Sequence, residues 1–208
     1  MMAADAMTGT TESFVNDERE SNPDLVLLAA IRAVLEGDRD AFQTIMVRSE
    51  RRVASVAWRI LGDAEDVREA LQETYLRVYH HLGKYDEQRD FFAWLFRISV
   101  NVCRDIDRHR RARHDRFTEL NGLEAMAGND DPDDAFVRSE EIALLTRAID
   151  ALPPKERLAL ILRDIEGLST EEVAEVLGSR QSTVRVQISS ARTRVRAMLD
   201  RWIGGGKS

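Results

Sequence analysis

Cysteine is almost absent. Cys103 stands alone in a chain of 208 residues, which excludes an internal disulfide framework and, by itself, a CxxC or zinc site. Aromatic residues are also few: three Trp, three Tyr and seven Phe can anchor only small cores. No run approaches the roughly 18 apolar residues needed to span a bilayer. The opening "MMAADAMTGTTESF" has neither the basic head nor the apolar stretch of a secretory signal. The expectation is a soluble protein of a reducing compartment, the cytoplasm, with no membrane insertion. His80, His81, His109 and His114 have no carboxylate or thiol set at ligand spacing, so no metal and no other cofactor is expected. No nucleophile–base set and no phosphate loop appears, and an enzyme is not expected.

Charge is plentiful and segregated. The formal net charge is −7, yet its sources lie apart. Asp5, Glu12, Asp17, Glu18, Glu20 and Asp24 crowd the start, and a second acidic run, "NDDPDD", follows Gly128. Between them lies "RDIDRHRRARHDR", and Arg180, Arg185, Arg192, Arg194, Arg196 and Arg201 gather near the C-terminus. Exposed charges are screened beyond ~8–10 Å. Each basic block can therefore act locally as a phosphate-binding surface despite the overall sign.

Helical periodicity dominates and no segment alternates as a strand does. Residues 1–23 are polar and acidic and read as a disordered leader. Asp24 is placed to cap a helix through "LVLLAAIRAVLE", which Gly37 stops. Asp38 begins a longer helix with Phe42, Ile45, Met46, Val53, Val56, Ala57, Ile60 and Leu61 on its apolar side, ended by Gly62. Asp63 opens a third, with Val67, Leu71, Leu76 and Val78 or Tyr79 inward and Gly83 as terminator. Its acidic start "DAED" suits the positive end of a helix. A fourth runs from Phe91 to about Arg111 with Trp94, Leu95, Ile98 and Val102 on one side. Residues 115–138, with "LNGLEAMAGNDDPDDAF", lose the periodicity and read as a flexible acidic linker. Helices resume over 139–203, and 204–208 form a tail. The fold class expected is all-α, two small helical domains, at 24–114 and 139–203, joined by that linker.

The second of these has local signals at every boundary. Pro153 and Pro154 suit a first helical turn, Ser169 with Glu172 forms a capping box, and Gly178 allows a tight turn between two helices. In the last helix Val184, Ile188, Ala191, Val195 and Met198 face inward. Ser182, Thr183, Arg185, Gln187, Ser189, Ser190, Arg192 and Arg194 are left for a ligand. A helix-turn-helix places such an N-terminal face in the major groove, where arginine and glutamine read base edges and hydroxyls reach phosphate. A bundle with a solvated basic face fits the same periodicity. The stretch "AIDALPPKERLALILRDIEGLSTEEVAEVLGSRQSTVRVQISSARTRVRAML" resembles region 4 of the extracytoplasmic-function (ECF) sigma factors of bacterial RNA polymerase. The resemblance implies binding to the −35 promoter element and to the flap of the polymerase β subunit. Gln187 and Ser190 stand where that family tends to carry arginine.

The first domain carries the same resemblance. "QETYLRVYHHLGKYD" is similar to sigma region 2.2, which implies docking on the coiled coil of the polymerase β′ subunit. Glu69, Gln72, Glu73, Leu76 and Tyr79 are the residues this assigns to polymerase binding, a mixed acidic and apolar patch suited to a basic helical partner. "YDEQRDFFAWLFRISVNVCRDIDRHRRAR" resembles regions 2.3 and 2.4, which implies capture of an unstacked base of the −10 element. Glu87, Gln88, Arg89 and Asp90 then line the loop, with Phe92 and Asn101 on the helix behind it. Arg97, Arg104, Arg108 and Arg111 are candidates for the DNA backbone, as is Arg110. Glu87 stands where the family often has glycine.

Trp58, Trp94 and Phe91 read as core anchors, Phe92 suits either the core or a stacking platform, and Cys103 reads as a small buried residue. The resemblance implies an alternative sigma factor that binds core RNA polymerase, recognises promoter DNA, opens its strands and is held by an anti-sigma factor. A helix-turn-helix regulator acting on duplex DNA without polymerase would need neither the Gln72–Glu73 surface nor the 85–92 loop, and a pure interaction protein is the second alternative.

Overall fold

The computed structural model describes residues 23–121 and 140–204, and every regular element among them is helical. The expected leader, the tail beyond Gly204 and the linker from 122 onward lie outside the described residues. Helix α1 spans Pro23–Glu36, so Asp24 sits in its first turn and not before it. The next helix, α2, spans Phe42–Leu61, later than the expected start at Asp38. The Asp38 carboxylate instead accepts the amides of Asp40 at 3.0 Å and Ala41 at 3.4 Å, a local turn that competes with helix. Helix α2 buries Ile45, Val53, Val56, Ala57 and Leu61. Met46 of the expected apolar stripe is left outside, one step of about 100° from buried Ile45. Gly62 ends α2 in the left-handed conformation (φ +64°), its amide donating to the Trp58 carbonyl at 2.9 Å.

Helix α3 spans Ala64–His81, and the Asp63 carboxylate accepts the amides of Glu65 and Asp66, both at 2.9 Å. The acidic run "DAED" thus forms the helix start, where carboxylates oppose the positive end of the dipole. Val67, Ala70, Thr74, Tyr75 and Val78 are buried. Leu76, expected inward, points outward, because it lies nearly opposite Val78 on the helical wheel. Gly83 falls inside a short 3-10 turn, Leu82–Lys84, that continues from α3. Asp90 caps α4 by accepting the Ala93 amide at 2.7 Å. Helix α4 spans Phe91–Asn121, continuing past Arg111 into the first part of the expected linker. Pairs such as Arg111–Asp107 at 2.9 Å support the helix ahead of that extension.

In the second half, α5 spans Glu140–Asp150 and α6 spans Pro154–Leu160. Pro154 opens the first turn after extended Pro153. The single helix expected through "PPKERLALILRDIEG" widens at its end into a π turn, Ile161–Ile165. Helix α7 spans Thr170–Leu177 behind a complete capping box: the Glu172 amide donates to Ser169 Oγ at 3.2 Å, and the Ser169 amide to Glu172 Oε2 at 2.7 Å. Gly178 (φ +62°) makes the tight turn, and α8 spans Gln181–Gly204. Val184, Ile188, Ala191 and Val195 are buried, as the spacing predicts, with Met198 half-buried.

The two halves pack against each other. One apolar cluster runs from Ile31, Val53, Phe91 and Leu95 into Leu162, Leu168, Val173 and Val184. A smaller one, around Ala57, Val67, Val102, Cys103 and Ile106, stays within the first half, flanked by Trp58. Each fully buried large apolar side chain is worth about 1.5–3 kcal/mol, so the shared cluster is what holds α4 on α7 and α2 on α6. Cys103 is buried, and burial pushes its thiol up to about 11.

Candidate nucleic-acid interface

Helix α3 brings Glu69, Gln72, Glu73, Leu76 and Tyr79 to one side by their three- and four-residue steps. Glu69 and Gln72 are exposed. Glu73 accepts Arg77 Nε at 2.7 Å, and Arg77 lies 3.5 Å from Asp105 on α4. Leu76 is 48% exposed and Tyr79 38%. The Phe42 ring meets Tyr79 edge-on at 5.1 Å, and Met46 and Val47 of α2 are also exposed. Met46 belongs to a stripe that reads as all core until the partner helix is placed, and Val47 lies outside that stripe. An apolar strip with an acidic edge on a folded surface is a docking feature.

The 85–90 loop is internally braced. Tyr85 is buried, donates its hydroxyl to the Arg89 carbonyl at 2.7 Å and meets Phe91 edge-on at 5.3 Å. Burial, with Asp90, Glu87 and Asp86 adding, pushes its phenol up to about 12. The Arg89 amide donates to the Asp86 carbonyl at 2.9 Å, and the Gln88 amide to the Asp86 carboxylate at 3.0 Å. Glu87 is gripped by Arg32 of α1, whose Nε and Nη2 donate at 3.0 and 2.7 Å. Gln88, Arg89 and Asp90 present exposed side chains.

Behind the loop, Ala93, Trp94 and Arg97 line a cleft of about 290 Å³ with Ser169, Glu172 and Glu175 of the other half. Asn101 is exposed one turn beyond Arg97. Arg104 donates to the Leu177 carbonyl at 3.1 Å, Arg108 pairs with Asp105 at 2.9 Å, and Arg111 pairs with Asp107. Arg110 reaches Asp66 at 3.1 Å. Phe92 takes the packed one of its two open positions, half-buried beneath the Arg52 guanidinium, 3.4 Å from its ring centre. Phe91 is core, and Trp94 is half-buried among Tyr85 and Phe91.

On α8, Ser182, Thr183, Arg185 and Ser189 are exposed, and Gln187 and Ser190 half-buried. Gln187 Oε1 is turned inward without a hydrogen-bond partner. Arg192 makes a two-pronged pair with Asp164, at 2.9 and 2.5 Å, and Arg194 lies 3.1 Å from the Glu156 carboxylate. A groove of about 360 Å³ runs beside the helix, lined by Arg163, Thr170, Arg185, Ser189, Arg192 and Arg196. Arg163 and Thr170 come from preceding elements, so reading α8 alone does not find them. Arg196 lies further down α8 than the N-terminal turns that drew the expectation. Such a cationic groove with three hydroxyls, those of Thr170, Ser189 and Thr193, suits a phosphate backbone. Among the described residues no group of His, Cys, Asp and Glu is placed to hold a metal, and no helix is long and apolar enough to cross a membrane.

Comparison with known proteins follows the same division. Residues 45–115 match the family described as Sigma-70 region 2, and residues 142–195 match Sigma-70, region 4. The RNA polymerase sigma-H factor of Pseudomonas aeruginosa is 30% identical over 169 residues, 78% of this chain and 88% of its own length. The ECF RNA polymerase sigma factor SigW of Bacillus subtilis is 30% identical over 185 residues, 85% of this chain and 98% of its own. Among solved structures, CnrH in complex with the cytosolic domain of CnrY aligns with a TM-score of 0.56 at 28% identity, over 86% of this chain and 98% of that one. The sigma factor RpoE of Bartonella quintana, solved with the anti-sigma factor NepR, aligns with a TM-score of 0.62 at 21% identity, over 76% of this chain and 96% of that one.

Proposed function

Because the chain belongs to the ECF sigma factors of RNA polymerase, we propose that it binds core polymerase, directs it to −10 and −35 promoter elements, and supports strand opening and initiation. Glu69, Gln72, Glu73, Leu76 and Tyr79 engage the β′ coiled coil, with Met46 and Val47 extending the apolar strip. The second half engages the β flap. Glu87, Gln88, Arg89, Asp90 and Asn101 read the unpaired −10 strand, with Phe92 bracing that face from within. Arg97, Arg104, Arg108 and Arg111 neutralise its phosphates. Ser182, Thr183, Arg185, Gln187, Ser189, Ser190, Arg192 and Arg194 face the −35 duplex. The chain works in the cytoplasm, where core polymerase is, and is restrained by an anti-sigma factor. The likeness to CnrH, solved with a polypeptide partner, supports that last step.

The observation that carries the reading is the exposed apolar strip on α3 in the same chain as the cationic groove on α8. A polymerase-independent regulator has no use for the strip. Each DNA contact alone can be weak, since attachment to polymerase makes the second contact effectively intramolecular. That is how a chain of net charge −7 works on DNA. A gel-shift on promoter fragments, with and without core polymerase, tests it. Specific binding is expected only with core, and equal binding without it contradicts the proposal.

A further inference from the structure

Val186 stands out on α8 as a large apolar side chain left 65% exposed. It lies in the second turn from the N-terminus of that helix. At steps of about 100° per residue it points nearly opposite the buried seam of Val184, Ile188, Ala191 and Val195. Arg185, Arg192 and Arg196 of the groove lie round one flank of the helix, with Arg192 tied to Asp164. Thr183 and Ser190 lie round the other flank. Val186 falls between the flanks, beside the short side chains of Ser182, Ser189 and Thr193. The two longer polar side chains next to it in the chain are directed elsewhere. Gln187 turns its Oε1 inward, and Arg185 Nη2 reaches back toward Gln181 Oε1 at 3.4 Å. Branching at Cβ makes valine a slightly poor helix former, and at this exposure it gains little packing in return.

A helix seated in the major groove meets phosphates along its flanks and base edges along its outermost line. A backbone held at Arg185 and Arg196 therefore puts Val186 over the base edges. Valine has no donor or acceptor to offer them. Over adenine, guanine or cytosine it would cover polar groups and leave them without a partner. The 5-methyl of thymine is the apolar group that the major groove presents. We propose that Val186 reads a thymine of the −35 duplex by packing on its 5-methyl group, and so fixes the orientation of one A·T pair. The arginines beside it supply affinity that does not depend on sequence, while the valine supplies discrimination. The same contact prefers 5-methylcytosine, whose methyl stands in the same place, to cytosine. This inference rests on the reading of α8 as the duplex-binding helix.

The test uses the full chain with core polymerase and promoter duplexes from mapped start sites. Each thymine of the −35 segment, on either strand, is replaced in turn by deoxyuridine, which removes the methyl and keeps the pairing. Competition binding should show a loss of about fourfold at one position or two adjacent ones, the worth of one buried methyl. At the other positions the change should stay within about twofold. Where the methyl matters, a C·G pair bearing 5-methylcytosine should bind about fourfold better than the unmodified pair. Val186→Ser alters an exposed side chain and should bring both ratios below about twofold. Arg196→Ala should weaken all these duplexes alike and leave the ratios intact. A methyl that matters equally in Val186→Ser, a −35 segment indifferent to every methyl, or one with no A·T pair overturns the inference. Were α8 not the duplex-reading helix, whole base-pair changes in the −35 segment would also leave binding unaltered. If only this inference fails, such changes weaken binding while loss of a methyl does not.

Discussion

Leu76 offers the cleanest separation of docking from folding. It is 48% exposed on α3, next to the Gln72–Glu73 pair in the helical step. Complete burial of a leucine side chain is worth about 1.5–3 kcal/mol. With about half of that already realised in the free chain, roughly 1 kcal/mol is left for a partner that covers the rest. Leu76→Ala forfeits most of it, which corresponds to about a fivefold rise in the Kd for core polymerase. The folded chain should lose a similar amount, roughly 1 kcal/mol, because about half of the side chain is already buried there. Tyr79 is the poorer probe, since its ring also packs on Phe42. The assay is competition between labelled and unlabelled chain for core polymerase, read by anisotropy, beside a denaturant titration of each variant. Core affinity unchanged within twofold, in a variant that remains folded, refutes the assignment of α3 as the docking face. So does an equal loss in duplex binding by the isolated chain.

Other outcomes follow from single contacts. Gly178→Ala meets no heavy atom within 4 Å of its new Cβ, so its cost is the left-handed backbone alone, about 1–2 kcal/mol in a denaturant titration. Ser169→Ala removes one arm of the capping box and should cost about 1 kcal/mol by the same measurement. Burial raises the Cys103 pKa to about 11. At pH 8 about one thiol per thousand is then ionised, against roughly one in four for an ordinary thiol. Native alkylation should therefore be slow, accelerate as pH rises toward 11, and become fast at pH 8 on unfolding. Arg196→Ala should weaken duplex binding similarly for all sequences and reduce the slope of log K against log salt by about 0.9. An unchanged slope would remove Arg196 from the backbone contacts.

The signals that were legible in the sequence are the local ones. Asp63, Gly62, Ser169 with Glu172, and Gly178 each act within a few residues, so their chemistry can be read without knowing what lies opposite. The inward stripe of α8 follows from its spacing for the same reason. The outward turn of Met46 and Leu76 was less legible, because an apolar residue at a stripe's edge is core or surface according to where the neighbouring helix lies. The π turn at Ile161–Ile165 has no composition of its own: its bond from the Glu166 amide to the Ile161 carbonyl at 2.9 Å belongs to a segment whose Ile161 and Leu162 are buried in the shared core while Ile165 is exposed. Least legible were the pairs that close the molecule. Arg52 and Glu166 are 114 residues apart, and Arg32 and Glu87 are 55 apart. Each reads alone as an ordinary solvated charge. The candidate site was thus visible as residue types on helix faces, while which cations face solvent and which face the other half required the fold.

The central claim is that this chain is a detachable specificity subunit of RNA polymerase. Run-off transcription with purified core polymerase, on templates from start sites mapped after overexpression, tests it most directly. The account predicts discrete transcripts from core plus this chain, none from core alone, and a clear loss with Leu76→Ala at limiting concentration. Failure to initiate at any mapped site, from a folded chain mixed with active core, contradicts it.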